Sequence, residues 1–310
     1  MHPKIKVMKY TLVVAGNQDQ ELLDRGFPFE KFILGSINSS AALELKVIKP
    51  DLGPKTCIAK IELIHIHAAR DHLVLTNPSI LDIQEDEAHM LYESVKDIFE
   101  EMTLNVDRPS PERWFIESPN FQSLSTVSIH QAEGRNIDYW MPEDTNEAGV
   151  AKQWRKWQNE IQMIWFNHPV NQKRQAEGQL PINSIWISGI GCLTDVKAHP
   201  SVQSAQLLHS PDNYLYPIAN HLSKNHCNTL TEQKLSNTLS LIHSEDPRSE
   251  EIWSISISAL NNKYIEVVEL IDFPEGQERR RQIKLSDLVK KGFAFWKKPK
   301  VTTLKEMLSQ

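Results

Sequence analysis

An interleaved α/β or α+β fold is what this sequence predicts, and three observations carry the prediction. Short β-branched runs recur along the chain. Two long segments repeat apolar residues at three- and four-residue steps. Strand-like and helix-like segments alternate instead of segregating. The composition fits: of 310 residues, 40% are apolar and 24% charged, with 11 Gly and 17 Pro, which excludes collagen-like, disordered and low-complexity architectures. A chain of this length buries about three-quarters of its unfolded surface, enough for one large core or two smaller ones.

Taken in order, residues 10–14 (Tyr-Thr-Leu-Val-Val) predict a strand that ends in Ala15-Gly16-Asn17, and 21–34, broken by Gly26 and Pro28, predict short helices. The Pro, Asp and Gly of 50–54 mark a loop. Residues 57–67 and 71–75 predict strands. Ala88, Leu91, Val95, Ile98 and Met102 place a helix over 83–102, with Asp82 and Glu85 as its capping box. Strands at 104–106 and 113–116 flank the Pro109 and Pro111 turn. The second long helix, 149–167, aligns Val150, Trp154, Trp157, Ile161 and Ile164, and Pro169 sets its end because the residue before proline disfavours the helical region. A short helix at 171–177 stops at Gly178, and 182–188 alternates as a strand. Helices follow at 214–222 and 235–242, then strands at 251–257 and 264–272 split by an Asn261-Asn262 hairpin turn, then a helix at 286–291.

Charge limits the partners. The net charge is −6, with no basic excess of the kind that drives nucleic-acid binding. Residues 79–112 hold ten acids and two bases, whereas 148–178 hold five bases and two acids, a contrast suited to a protein partner or an anionic small molecule, or to two solvated helix faces. Leu12–Ala15 is too short for a signal segment or a span of about 20 residues. Three cysteines without Cys-x-x-Cys argue against a disulfide framework or zinc finger. The expectation is a cytoplasmic protein that binds neither nucleic acid nor membrane. Lys297, Lys298 and Lys300 form a basic tail without an amphipathic partner or lipid signal.

Chemistry concentrates in 154–191. His168, Asn171, Arg174 and Asn183 surround a proline turn, and the Arg fork with neutral Asn donors suits a carboxylate or phosphate. The same residues also suit structural work, Asn171 as a helix cap and His168 at the carbonyl end of the long helix. His65-x-His67 puts two imidazoles on one strand face without a third ligand. Gly189-x-Gly191 lacks the third glycine of a dinucleotide loop.

The run Asn159-Glu160-Ile161-Gln162-Met163, His168-Pro169-Val170-Asn171, Arg174, Gly178, Pro181, Asn183-Ser184-Ile185-Trp186 and Gly189-Ile190-Gly191 resembles bacterial regulatory proteins of the RpfE type. More distantly, its order is similar to that of archaeal-type cofactor-independent phosphoglycerate mutases. Glu62-Leu63-Ile64-His65, Glu85 to Leu91, Arg113-Trp114, Gly134-Arg135-Asn136 and Met141-Pro142 extend the resemblance over 60–191. It implies an α/β fold with an alkaline-phosphatase-like core, assigned to 1–54 and 146–310, and an inserted or adjoining α+β subdomain at 55–145. In the mutases two divalent ions activate a Ser or Thr nucleophile. Here the metal-binding Asp-Gly after the first strand is replaced by Ala15-Gly16-Asn17, with Asp19 the nearest acid, Ser39-Ser40 lacks the nucleophile's surroundings, and Asp212, His221, His226, His243, Asp246 and Asp272 lack the Asp-x-x-x-His pattern. The resemblance therefore implies a regulatory or ligand-sensing protein without catalysis, metal or cofactor. Arg113, Arg135, Asn136, His168, Asn171, Arg174 and Asn183 would form a remnant pocket for a phosphorylated or carboxylated metabolite, and Arg174→Ala would abolish anion-dependent stabilisation with the fold intact. The alternatives are an active metal-dependent mutase or phosphatase with displaced ligands, and a protein-interaction scaffold using the acidic helix.

Overall fold

The computed structural model describes residues 8–16, 25–76, 78–288 and 302–309. Asn17, Asp19, part of the predicted helices at 21–34 and 286–291, and the 297–300 tail lie outside the described residues. The strands are β1 Lys9–Ala15, β2 Ile58–Ala68, β3 Leu73–Thr76, β4 Asn105–Ser110, β5 Arg113–Glu117, β6 Leu124–Ser125, β7 Glu143–Asp144, β8 Ser184–Gly191, β9 Leu207–His209, β10 Asn225–Cys227, β11 Thr238–His243, β12 Val267–Asp272 and β13 Arg279–Ile283. The helices are α1 Pro28–Leu34, α2 Ser40–Ile48, α3 Glu85–Ser94, α4 Lys96–Met102, α5 Ile129–Ala132, α6 Val150–Phe166, α7 Pro169–Ala176, α8 Pro200–Ser204, α9 Tyr216–His221, α10 Ser249–Asn261, α11 Leu285–Leu288 and α12 Leu304–Leu308. The mixed α/β class matches the sequence reading.

The chain divides into two compact units, residues 1–23, 28–33 and 198–310 in one, 24–27 and 34–197 in the other. The sequence-based division fell at 54/55 and 145/146. α2, α6, α7 and β8 group with 55–145 because β8 pairs with β2, α2 packs on both strands, α6 packs on β8, and α7 meets α3.

The first unit is built on a sheet in the order β10-β9-β11-β1-β12-β13. β10, β9, β11, β1 and β12 run parallel, and β13 closes one edge antiparallel to β12. Tyr10, Leu12 and Val14 pack with Val268 and Leu270 against Trp253, Ile257 and Leu260 of α10. Both expectations for 235–257 are corrected here. Residues 238–243 form a strand, not a helix, since the apolar run of β11 is buried on both faces of a parallel sheet and carries no usable periodicity. Residues 251–257 are helical although Ile and Ser alternate there. Ser254 and Ser256 donate to the carbonyls of Glu250 and Ile252, both at 2.8 Å, which accommodates serine in a helix interior. The Asn261-Asn262 pair consequently ends a helix and turns no hairpin.

The second unit centres on the long antiparallel strand β2, which pairs with β5, β8 and β3. On one face, Ala59, Ile61 and Leu63 join Ile185 and Ile187 under a helical layer of α3, α4 and α6. The other face packs Ile64, Ile66 and Trp186 against Val127, Ile129, Ile137 and Trp140. The predicted helix 83–102 breaks at Val95 into α3 and α4, and its capping box is Gln84 with Glu87 instead of Asp82 with Glu85. α2 lies on β8 where the glycines allow it: a Cβ on Gly189 would stand 2.9 Å from the Ala41 amide nitrogen, and one on Gly191 3.0 Å from Ser39 Cβ. Gly189-x-Gly191 is thus a packing seat.

Candidate functional site at the carboxyl ends of the parallel strands

The 168–191 segment spends its polar groups on the chain itself. His168 caps α7, its Nδ1 accepting from the Val170 amide at 3.3 Å, with Pro169 preset as the first helical residue. Asn171, 1% exposed, donates to the carbonyls of Trp165 (2.8 Å) and Ile182 (2.7 Å) and accepts from the Ile182 amide at 2.7 Å. Its amide therefore ties the end of α6 to the residues leading into β8. Arg174 is equally buried. It donates to the Glu87 carboxylate at 2.7 Å, to the Leu180 carbonyl at 2.8 Å and to the Leu81 carbonyl, while Glu87 also accepts from the Gln84 amide. Asn183 pairs with both backbone groups of Ile66 at 2.8 Å, continuing the β2–β8 ladder with a side chain.

The other three predicted site residues have partners elsewhere. Arg113 approaches Glu44 at 3.6 Å, in a network with Lys60 and Glu62. Arg135 faces the Trp140 ring, 5.7 Å from its centroid. Asn136 accepts from the Asp138 amide at 3.0 Å and caps a single 3-10 turn. A hollow of about 400 Å³ lined by residues including Lys55, Cys57, Glu117 and Gln122 contains none of the seven. His65 and His67 stack with centroids 5.9 Å apart, and His65 is occupied by the Pro181 carbonyl at 2.8 Å.

A different cluster stands where doubly wound sheets bind ligands. From β9 the chain moves outward to β10, whereas from β11 it crosses to β12 on the other side of β1. The order therefore reverses between β9 and β11, and the crevice outside their carboxyl ends is the expected ligand position. Loop residues after both strands meet there. Arg248 donates to both Asp246 carboxylate oxygens at 2.9 and 2.7 Å and reaches the Pro211 carbonyl at 3.1 Å, joining the two loops. Ser210 Oγ lies 3.1 Å from His226 Nε2 and accepts from the Leu215 amide at 2.8 Å. Asp212 accepts from the Tyr214 amide at 3.0 Å. His209 Nδ1 is 3.0 Å from Ser240 Oγ, and burial, then His226, lower its pKa to about 4. Burial lowers that of His226 as well. Both imidazoles are therefore neutral at pH 7. Arg248 holds the Asp246 carboxyl below its ordinary range.

Sequence reasoning named Asp212, His226, His243 and Asp246 separately and missed His209, Ser210 and Arg248. The usable signal was positional: each follows or ends a short apolar strand. Farther along the sheet, Asp272 is fully buried and paired with Arg279 and Arg281. Arg279 and Arg281, which neutralise it, lie on the edge strand β13, whereas Arg280 pairs with Glu269 and Glu278.

Ser210 beside His226 has the spacing of a nucleophile and its base, but Ser210 has no exposed surface. The side chains of the described residues at this crevice do not form a two-metal centre. Among the described residues no three His, Cys, Asp or Glu side chains converge as a metal-binding group, and Asp246 and Asp272 are already neutralised by arginines.

No family model matches the chain, and no curated protein does. Among solved structures it is similar to a cofactor-independent phosphoglycerate mutase from Thermoplasma acidophilum DSM 1728, with 15% identity, 92% of each chain covered and a TM-score of 0.36. It is also similar to the PH0037 protein from Pyrococcus horikoshii, with 12% identity, 92% of this chain and 90% of that one covered, and a TM-score of 0.38. Likenesses this distant fix neither a substrate nor a residue's role. Among the described residues no helix is long and apolar enough to cross a membrane.

Proposed function

We propose that this chain is a regulatory protein that works by binding and not by turnover, with an alkaline-phosphatase-like core whose chemical equipment is closed. One observation carries the reading: at the switch crevice the groups that would do chemistry already have protein partners. Asp246 is held in a two-oxygen grip by Arg248, and the Ser210 hydroxyl is sealed between His226 and the Leu215 amide. The seven residues read from the sequence as an anion pocket act in this view as scaffold, and the exposed guanidinium at the crevice is Arg248.

The test is an assay for interconversion of 3- and 2-phosphoglycerate, the substrate pair that the sequence resemblance nominates, with manganese, magnesium or zinc added in turn and a chelated control. No turnover by folded protein is expected; metal-dependent turnover would overturn the proposal. Thermal denaturation with 3-phosphoglycerate or inorganic phosphate then separates two modes of regulation. A ligand at 100 times its Kd stabilises by about 2.7 kcal/mol, and loss of that shift in Arg248→Ala would place the ligand at the crevice. Absence of any shift would favour the scaffold mode, which the acidic outer face of α3 and α4 supports.

A further inference from the structure

The helical layer of the second unit has an outer face unlike that of a monomer's surface helix. α6 buries Ala151, Trp154, Trp157, Gln158, Ile161 and Trp165. At 3.6 residues per turn the opposite stripe holds Lys152, Lys156, Asn159, Glu160, Met163 and Phe166, with Arg155 on its flank. Met163 is 74% exposed and Phe166 73%. Large apolar residues on an amphipathic helix belong to its buried stripe. Two of them three residues apart on the solvent side are neighbours on one surface, and an apolar patch with a charged rim marks an interaction site.

The charges around this spot are largely segregated, with Glu160 beside Lys156 at 3.8 Å the one acid on the outward side of α6. The indole nitrogen of Trp165 donates to the Leu91 carbonyl at 3.2 Å, which sets the last turn of α6 against α3. The outward side of α3 and α4 carries Asp86, Glu93, Asp97, Glu100 and Glu101, all exposed, with Met90, 44% exposed, among them. Lys96 lies 3.8 Å from Glu100. On α6 the basic residues lie on the first half and the apolar pair near the end, where the helix meets α3, whose outward side with that of α4 is acidic. A twofold axis through the apolar centre would lay the basic stretch of one copy on the acidic stretch of the other, which is the self-complementarity that an isologous interface needs.

We propose that this face joins two copies of the chain about such an axis, with Phe166 and Met163 at the centre and Lys152, Arg155 and Lys156 of each copy facing Glu93, Asp97 and Glu100 of the other. The apolar pair supplies the buried anchor. The flanking charges set register and partner choice. This inference goes beyond the proposed function and is independent of what occupies the crevice.

Sedimentation velocity on the whole chain, from about 1 to about 100 μM at low salt, is expected to show a dimer that weakens as salt rises. Phe166→Glu, with an unchanged circular dichroism spectrum, is expected to raise Kd by about 30-fold or more, the loss of a hot-spot side chain. A charge exchange keeps the idea testable if that variant folds poorly. One variant carries Lys152→Glu, Arg155→Glu and Lys156→Glu; another carries Glu93→Lys, Asp97→Lys and Glu100→Lys. Each alone is expected to be monomeric, and an equimolar mixture is expected to dimerise, since both contacts then pair opposite charges. A wild-type chain that stays monomeric throughout, a dimer indifferent to these changes, or a mixture that remains monomeric would overturn the proposal.

Discussion

The corner of the second unit at 168–183 and the β9/β11 crevice of the first contain similar side chains in opposite employment. In the corner, Asn171 and Arg174 are buried and bonded to backbone carbonyls, a backbone amide and one carboxylate. At the crevice, His243, which ends the parallel strand β11, and Arg248, on the loop after it, are exposed. The corner is nearly continuous in sequence and looks like a site. The crevice is assembled from residues 209–248 and looks like scatter. Density of polar residues along the chain thus reports how much backbone must be tied down, whereas the position of a few residues relative to strand ends reports where a ligand can reach.

The strongest way to break this comparison is Arg174→Ala. Removing one partner of a buried ion pair leaves the Glu87 charge uncompensated and costs about 3–5 kcal/mol, a large part of a total stability of about 5–15 kcal/mol. Urea unfolding should show that loss whether or not an anion is present. The expectation that the fold would be untouched belonged to an exposed arginine, and this one is 1% exposed. A loss under about 1 kcal/mol, within the range of a surface ion pair, would return Arg174 to the list of ligand groups.

On the crevice side the corresponding test is acid. His209 takes a proton near 6.5 when unfolded but only near 4 when folded, because burial opposes its charge. Between these values the unfolded chain binds more protons, so stability falls as pH drops from 6.5 to 4, by about 3 kcal/mol in all. His209→Gln, which keeps a polar group beside Ser240, should remove that part of the slope in unfolding measured from pH 7 to 4. An unchanged slope would mean that the crevice histidine is not the sealed, neutral group described here.

These expectations also mark what was legible. The interleaved α/β class, the core tryptophans and the segment linking α6 to β8 could be read because Trp154, Ile161 and Pro169 act over one or two helical turns. What failed was decided by neighbours distant in sequence. β11 is a strand because β1 and β9 flank it, and α10 is a helix whose Trp253, Ile257 and Leu260 pack on residues of β1 and β12. Arg174 finds Glu87 across 87 positions, and no local pattern distinguishes that partner from a ligand. Asn171→Ala sharpens this point. It should cost about 1–3 kcal/mol through the buried Ile182 amide and carbonyl left unpaired, measured by thermal unfolding; a neutral result would show that water replaces the side chain at an accessible site.

The smallest effect concerns a device that both units share. His168-Pro169 and His199-Pro200 each begin a helix, with Nδ1 of the histidine accepting from the amide two residues on, at 3.3 and 3.0 Å. Capping in this way requires an unprotonated Nδ1, and burial lowers the pKa of both imidazoles. His168→Ala should cost about 0.5–1 kcal/mol, the low end of cap removal, and His168→Asn should restore most of it by capping α7 with an amide oxygen. His199→Ala should cost more, because that ring also stacks on Phe32 with centroids 4.3 Å apart. Hydrogen exchange of the first amides of α7 and α8 would read the two caps separately. If His168→Ala instead left those amides protected while changing the response to 3-phosphoglycerate, the histidine would be a ligand group, and the contrast between a structural corner and a binding crevice would fail at His168.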